Sequence, residues 1–353
     1  MHNASEAAAR RRLARLRNGR QSGALQQRRM ALRILKLDPF LIALLGTVVL
    51  ASVLPCAGRA ATIFGWATDG AIALLFFLHG ARLSRAAILA GIGAWRIHVL
   101  ALGATFVLFP VLGLAVRAAG HGWLNPAIGD GILFLCLLPS TVQSSIAFTS
   151  IARGNVPAAV CSASASNIIG IFVTPVLTGL LVLRGPHGGF SGDAVVSIVE
   201  QLFLPFIAGH LSRPLTAALV ARHKYLLGFV DRGVILLVVY TAFSAAVIEG
   251  LWQRYSWSDL GLTFVLNTLI LAIALIVTRF AARRAGLSVE DETVVVFCGS
   301  KKSLASGVPM AGVLFPPALL GPMILPLMLY HQTQLMVCAV IAQRYAARPP
   351  EAS

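Results

Sequence analysis

The sequence predicts an all-α polytopic membrane protein of ten transmembrane helices, and three observations carry that prediction. Apolar residues make up 57% of the 353-residue chain and charged residues only 12%, against roughly 45–50% and about 25% in soluble domains. Many of the apolar runs reach the ~20 residues needed to cross a ~30 Å hydrocarbon layer. The basic residues between the runs alternate between dense and sparse, the pattern that orients membrane helices. A soluble chain of this length would need two unusually apolar domains, because single cores stop growing near about 250–300 residues.

Residues 1–36 form a basic leader that holds ten of the 29 Lys and Arg, from Arg10 to Lys36. No short apolar region with a small-residue cleavage site follows it, so it does not read as a signal peptide. It reads as a cytoplasmic segment, either disordered or lying loosely on anionic lipid. Spans then run at about 38–57, 63–81, 95–117, 129–152, 155–183, 194–213, 225–248, 259–280, 290–314 and 321–345, ahead of a cytoplasmic tail at 346–353. The second is short and polar at its start, with Trp66 and Asp69. Ten spans divide into two fives, at 37–183 and 184–345. Because five is odd, the halves have opposite orientations, the inverted-repeat plan of many secondary transporters.

Charge tests the count. With the N-terminus inside a bacterial-type inner membrane, cytoplasmic segments hold 22 Lys and Arg, and the outside loops hold Arg59, Arg117, Arg184 and Arg254. Without the leader the ratio is still 12 to four. A miscount of one span would scramble this asymmetry, so both termini are expected in the cytoplasm. The same distribution explains the net charge of +16 without nucleic acid, since the charges flank apolar runs instead of forming one basic face. The five cysteines lie in or beside apolar segments with no Cys-x-x-Cys pair, which indicates neither a zinc site nor a disulfide framework. No cofactor is expected.

Two spans are interrupted. In the fourth, the polar run Pro139-Ser140-Thr141-Val142-Gln143-Ser144-Ser145 divides the apolar stretches 131–138 and 146–152. Proline removes one backbone bond and clashes with the preceding turn. The freed groups need protein or trapped water at this depth. The ninth repeats the design with Cys298-Gly299-Ser300-Lys301-Lys302-Ser303. Each is the fourth element of its five, and broken helices at matching positions point to a transport site. The plainer alternative is a proline kink whose hydroxyls bond to backbone or neighbouring helices.

Lys301 and Lys302 are the sharpest feature, since a lysine at the centre of a span costs about 2.5–3.5 kcal/mol. Their ammonium groups must meet carbonyls, a carboxylate, water or an anionic substrate, unless they sit hydrated at a re-entrant mouth. Either lysine is then a candidate proton carrier. Glu200, mid-way along the sixth span, is the expected carboxylate partner. Asn167 on the fifth span and His331, Gln332 and Gln334 on the tenth are candidates to line the same cavity. Asp231 and Arg232 lie near a cytoplasmic end and suit a local ion pair.

The block Leu138-Pro139-Ser140-Thr141-Val142-Gln143-Ser144-Ser145-Ile146-Ala147, followed by Ala152-Arg153-Gly154-Asn155-Val156, resembles the bile acid:sodium symporter superfamily. Together with Phe297-Cys298-Gly299-Ser300-Lys301-Lys302-Ser303-Leu304-Ala305 it is similar to the SBF-like branch, which in vertebrates includes solute carrier family 10 member 7. The resemblance runs from about residue 33 to 345. It implies inverted five-helix repeats whose helices 4 and 9 cross at their breaks. It also implies a core domain of spans 3–5 and 8–10 moving against a panel domain of spans 1, 2, 6 and 7. Relatives hold two sodium ions beside the crossing, through Ser and Asn at the fourth-helix break, hydroxyls on helix five, and a Glu and a Gln on helix nine. Ser144 and Ser145 fall near the first group, and Ser162, Ser164, Ser166 and Asn167 near the second. With Gly299 aligned to the family glycine, Phe297 stands near the expected Glu and Lys301 near the expected Gln. A lysine ammonium would then take the space and charge of a sodium ion, leaving coupling to protons, to a carboxylate such as Glu200, or absent.

The expected function is secondary transport of a small organic anion. The expected binding set is Ser140, Thr141, Gln143, Ser144, Ser145, Ser162, Ser166, Asn167, Glu200, Ser300, Lys301, Lys302, Ser303, His331 and Gln334, with a sodium position near Ser144 and Ser145. The expected partners are that anion and membrane lipid. A channel or a non-transporting regulator remains the alternative. An intramembrane hydrolase is disfavoured, because no Ser-x-x-Lys, Gly-x-Ser-x-Gly or His-Glu-x-x-His sequence occurs.

Overall fold

The computed structural model describes residues 39–82, 92–183 and 199–348. The whole leader, the connections at 83–91 and 184–198 and the end of the tail lie outside the described residues. Every regular element among those described is helical, and apart from the short turns Ile92–Ala94 and Leu251–Arg254 they are α1 (Pro39–Val53), α2 (Arg59–Arg82), α3 (Trp95–Ala119), α4 (Pro126–Leu137), α5 (Gln143–Ile151), α6 (Val156–Leu181), α7 (Val199–Leu211), α8 (Arg213–Arg222), α9 (Lys224–Ile248), α10 (Trp257–Arg284), α11 (Val289–Gly299), α12 (Leu304–Leu314) and α13 (Pro317–Ala346). Six of them are long and apolar enough to cross a membrane, and the bent pair α7–α8 makes a possible total of seven. Large apolar side chains such as Val53, Trp66 and Ile276 face outward, 79%, 74% and 68% exposed. Lipid is the solvent that accepts such a surface.

Local chemistry sets the helix ends. Asn125 caps α4 by accepting from the Ala127 N–H, with Pro126 in the first turn. Leu138 is extended ahead of Pro139 and ends it, as residues preceding proline tend to do. Asn155 caps α6, a Ser256–Asp259 capping box opens α10, Ser288 caps α11 and Ser303 caps α12. Both breaks are shorter than their polar runs suggest. Helix resumes at Gln143 in the first and continues through Gly299 in the second.

The 90° turn after Leu211 is a further difference from the expected layout. Residues 213–222 read as a connecting loop but form α8, because Pro214 sits in the first helical turn, where its missing N–H costs nothing. Several of the charges that orient the spans are also structural ties. Glu292, almost wholly buried, takes Arg283 at 2.9 Å and Arg279 at 3.3 Å and accepts from the Tyr345 hydroxyl. Arg348 pairs with Glu290 and donates to the Ala152 carbonyl at 3.1 Å. These contacts fasten the N-terminal end of α11 to α10, α13 and the α5–α6 turn.

Candidate functional site at the paired helix breaks

The two breaks meet. The Ser303 N–H donates to the Pro139 carbonyl at 2.9 Å, so non-helical backbone from one interruption partners that from the other. Asn167 on α6 bridges them: its amide donates to the Ser140 carbonyl at 2.7 Å, and its oxygen accepts from the Ser306 hydroxyl at 2.8 Å. Ser166, one residue earlier, accepts from the Ser140 N–H at 3.0 Å. Thr174, two turns on, donates to the Leu137 carbonyl at 2.8 Å. One face of α6 thus holds the first break.

α13 holds the second. The Gln334 side chain accepts from the Lys302 N–H at 2.8 Å and donates to the Lys302 carbonyl at 2.9 Å, replacing both backbone partners lost at the break. His331 Nδ1 lies 3.0 Å from the same amide nitrogen, and the Tyr330 hydroxyl donates to the Ser300 carbonyl at 2.8 Å. Gln334→Leu is expected to strip both partners from buried backbone and cost about 2–4 kcal/mol. A lowered thermal unfolding midpoint in detergent would show it.

The Lys302 ammonium is fully buried and donates to three backbone carbonyls: Leu138 at 2.7 Å, Cys136 at 2.9 Å and Thr105 at 2.9 Å. An ammonium has three donors, so the set is complete. Each carbonyl is free for a local reason. Cys136 would accept from Ser140, whose N–H has turned to Ser166. Leu138 lies in the break. Thr105 lies in a π-turn, Ala104–Leu108, where the Phe109 N–H reaches back to Ala104. The next nitrogen in that register belongs to Pro110, which has no hydrogen to give. The lysine therefore places a positive charge at the negative end of half-helix α4.

A sequence profile of the SBF-like CPA transporter family matches residues 38–347. The chain belongs to that family. It is a membrane transporter and not an enzyme. PA2026 of Pseudomonas aeruginosa, itself uncharacterized, is 58% identical over 317 residues, covering 90% of this chain and 95% of that protein. YfeH of Escherichia coli strain K12, named as a candidate symporter, is 52% identical over 310 residues, covering 88% and 93%. Sodium/bile acid cotransporter 7 of Danio rerio is 26% identical over 278 residues, covering 77% and 81%.

In this SBF-like transporter the first lysine of the break behaves differently from its neighbour. Lys301 is also fully buried, but its ammonium makes no hydrogen bond among the described residues. It sits over the Phe148 ring at 3.8 Å and near the Phe297 ring at 5.5 Å, a cation–π setting. The expected Glu200 partner is not there. Glu200 lies exposed on the π-turn that opens α7, and neither lysine meets a carboxylate among the described residues. Backbone carbonyls and ring faces take its place.

The remaining predicted residues divide by location. Thr141, Ser144 and Ser145 form a hydroxyl cluster at 2.8 and 2.9 Å, and Ser145 donates to the Phe297 carbonyl at 3.0 Å. Ser162 is buried one turn before Ser166, and the Ser300 hydroxyl turns back to the Val296 carbonyl at 2.6 Å. Ser303 serves as the cap of α12. Gln143 faces outward from the crossing. Asp231 pairs with Arg82 at 2.7 Å. Thr105, Phe148 and Tyr330 were absent from the predicted set. Pro110 within an apolar span was the one available signal for Thr105.

Proposed function

We propose that the chain is a secondary carrier of a small organic anion that works by alternating access about the paired breaks, with Lys302 standing permanently where relatives hold a coupling cation. The ammonium cage of Leu138, Cys136 and Thr105 carbonyls carries this reading. It supplies, from within the chain, the positive charge that a half-helix C-terminus otherwise draws from a sodium ion. Lys302, not Lys301, takes the cation role in this reading. Coupling then falls to protons or is absent.

Ten crossings in two inverted fives remain the proposed plan. It counts α4 with α5 and α11 with α12 as one broken crossing each, and leaves α8 at the membrane surface. The halves are 37–183 and 184–345, and the basic leader and the tail lie in the cytoplasm of an inner membrane. In this plan α3–α6 and α10–α13 form the core, and α1, α2, α7 and α9 the panel.

The test is uptake into proteoliposomes of radiolabelled carboxylates, sulfates and phosphorylated metabolites, with sodium or choline as the outside cation. Saturable uptake of at least one anion, within about twofold in the two salts, is the expected result. Uptake that vanishes in choline would sink the built-in-cation reading.

A further inference from the structure

Outside the crossing, a cavity of about 440 Å³ opens between the end of α2, the start of α5, α8 and α9. Its polar lining is Arg82, Arg213, Asp231 and Gln143, set against small apolar residues such as Ala217 and Gly228. That is the size of a small-molecule site, apolar with a few convergent polar groups. Its charge is unbalanced. Arg82 is committed: it pairs with Asp231 at 2.7 Å and donates to the Leu227 carbonyl at 3.3 Å. Arg213 is half-buried and has no ion pair or hydrogen bond among the described residues. Two guanidiniums against one carboxylate leave one positive charge.

The start of α5, which also lines the cavity, adds the same sign. Gln143 is the first residue of α5, and the residue ahead of it, Val142, supplies no side-chain cap. The first N–H groups of a helix have no partner within it, and the helix dipole makes that end positive. The first residue of an uncapped helix and an uncommitted guanidinium thus line one cavity.

We propose that this cavity binds a singly charged organic carboxylate, held by Arg213 in the cavity that it shares with Gln143, with Asp231 restricting the accepted charge to one. The inference rests on the carrier reading and narrows its cargo. A carboxylate matches the two parallel N–H groups of a guanidinium. A dianion would bring its second charge against Asp231. Removing that carboxylate also frees Arg82, so the cavity would then hold two uncommitted guanidiniums and accept a second negative charge.

The test is binding to the purified full-length chain in detergent, by thermal shift and calorimetry, with choline salts of benzoate, succinate and phosphate at constant ionic strength. Benzoate is expected to raise the unfolding midpoint, and succinate and phosphate to leave it unchanged. Arg213→Gln should weaken benzoate binding tenfold or more. Ala217→Trp, which fills the cavity and keeps the charges, should abolish it. Asp231→Asn should improve succinate binding at least tenfold. Equal binding of succinate and benzoate by the unmodified chain, no binding of any of the three, or benzoate affinity retained in both Arg213→Gln and Ala217→Trp would overturn the proposal. Neither sodium nor transport enters the measurement. Binding without uptake would therefore count against the carrier reading alone, and sodium-independent uptake without cavity binding against this assignment alone.

Discussion

Lys302→Ser is expected to lower the thermal unfolding midpoint in sodium-free detergent solution and to make the variant's midpoint rise with added sodium, whereas the unmodified chain does not respond. The substitution empties the ammonium position and strands the carbonyls of Thr105, Cys136 and Leu138. A buried polar group left without a partner costs about 1–3 kcal/mol. Water entering the space left by the side chain recovers part of this, so a net loss of about 3–5 kcal/mol is expected. Sodium can refill a carbonyl cage at a helix C-terminus, helped by the new hydroxyl, and ligand binding to the folded state raises its stability by mass action. Lys302→Met is the companion variant. It keeps the bulk and admits neither water nor sodium, so it should be at least as destabilised and show no sodium response. Equal behaviour of the serine and methionine variants would remove the case for Lys302 as a standing cation.

Much of this site was legible from composition and order. The polar runs at 139–145 and 298–303, inside stretches otherwise fit for lipid, located both breaks, because little else puts proline and two lysines at that depth. The role of each lysine was not legible. Adjacent residues in a non-helical stretch point apart, and only packing sends Lys302 toward α3 and α4 and Lys301 toward Phe148. The third carbonyl of the cage depends on a π-turn in α3, and periodicity does not mark a single inserted residue. Pro110 is visible in the sequence, but whether it frees Thr105 or its neighbour depends on that register. Glu200 lies deep along a span, which suits a lysine partner, but depth does not say which way a side chain faces. The bend before α8 likewise turns on Ser212 and Pro214, which suit a loop as well as a new helix.

Gly80→Ala is expected to be severely destabilising, although the same change elsewhere on α2 is harmless. A Cβ at Gly80 would lie 2.0 Å from the Phe206 carbonyl oxygen and 2.9 Å from the His210 nitrogen, both backbone atoms of α7. Gly209 on α7 answers it, since a Cβ there would lie 1.9 Å from the Phe77 carbonyl oxygen. These glycines let two helices touch main chain to main chain, the packing that small residues permit where no hydrophobic effect pulls helices together in lipid. Backbone atoms cannot rotate away, so the axes must part by about 1 Å, which forfeits close contacts along the pair. A loss of more than about 2 kcal/mol is expected. At Gly65 and Gly70 an added Cβ meets nothing within 4 Å. There alanine should gain up to about 1 kcal/mol from helix propensity alone. Unfolding midpoints of the three variants, measured in one detergent, separate the two mechanisms. Gly80 lies two residues before Arg82, and Gly209 four before Arg213, so parting α2 from α7 also moves the two guanidiniums of the cavity. Benzoate binding should therefore fall in Gly80→Ala, while the sodium-insensitive midpoint that marks an intact Lys302 cage remains. Equal midpoints for the Gly80 and Gly65 variants would mean that α2 and α7 are not held at that distance.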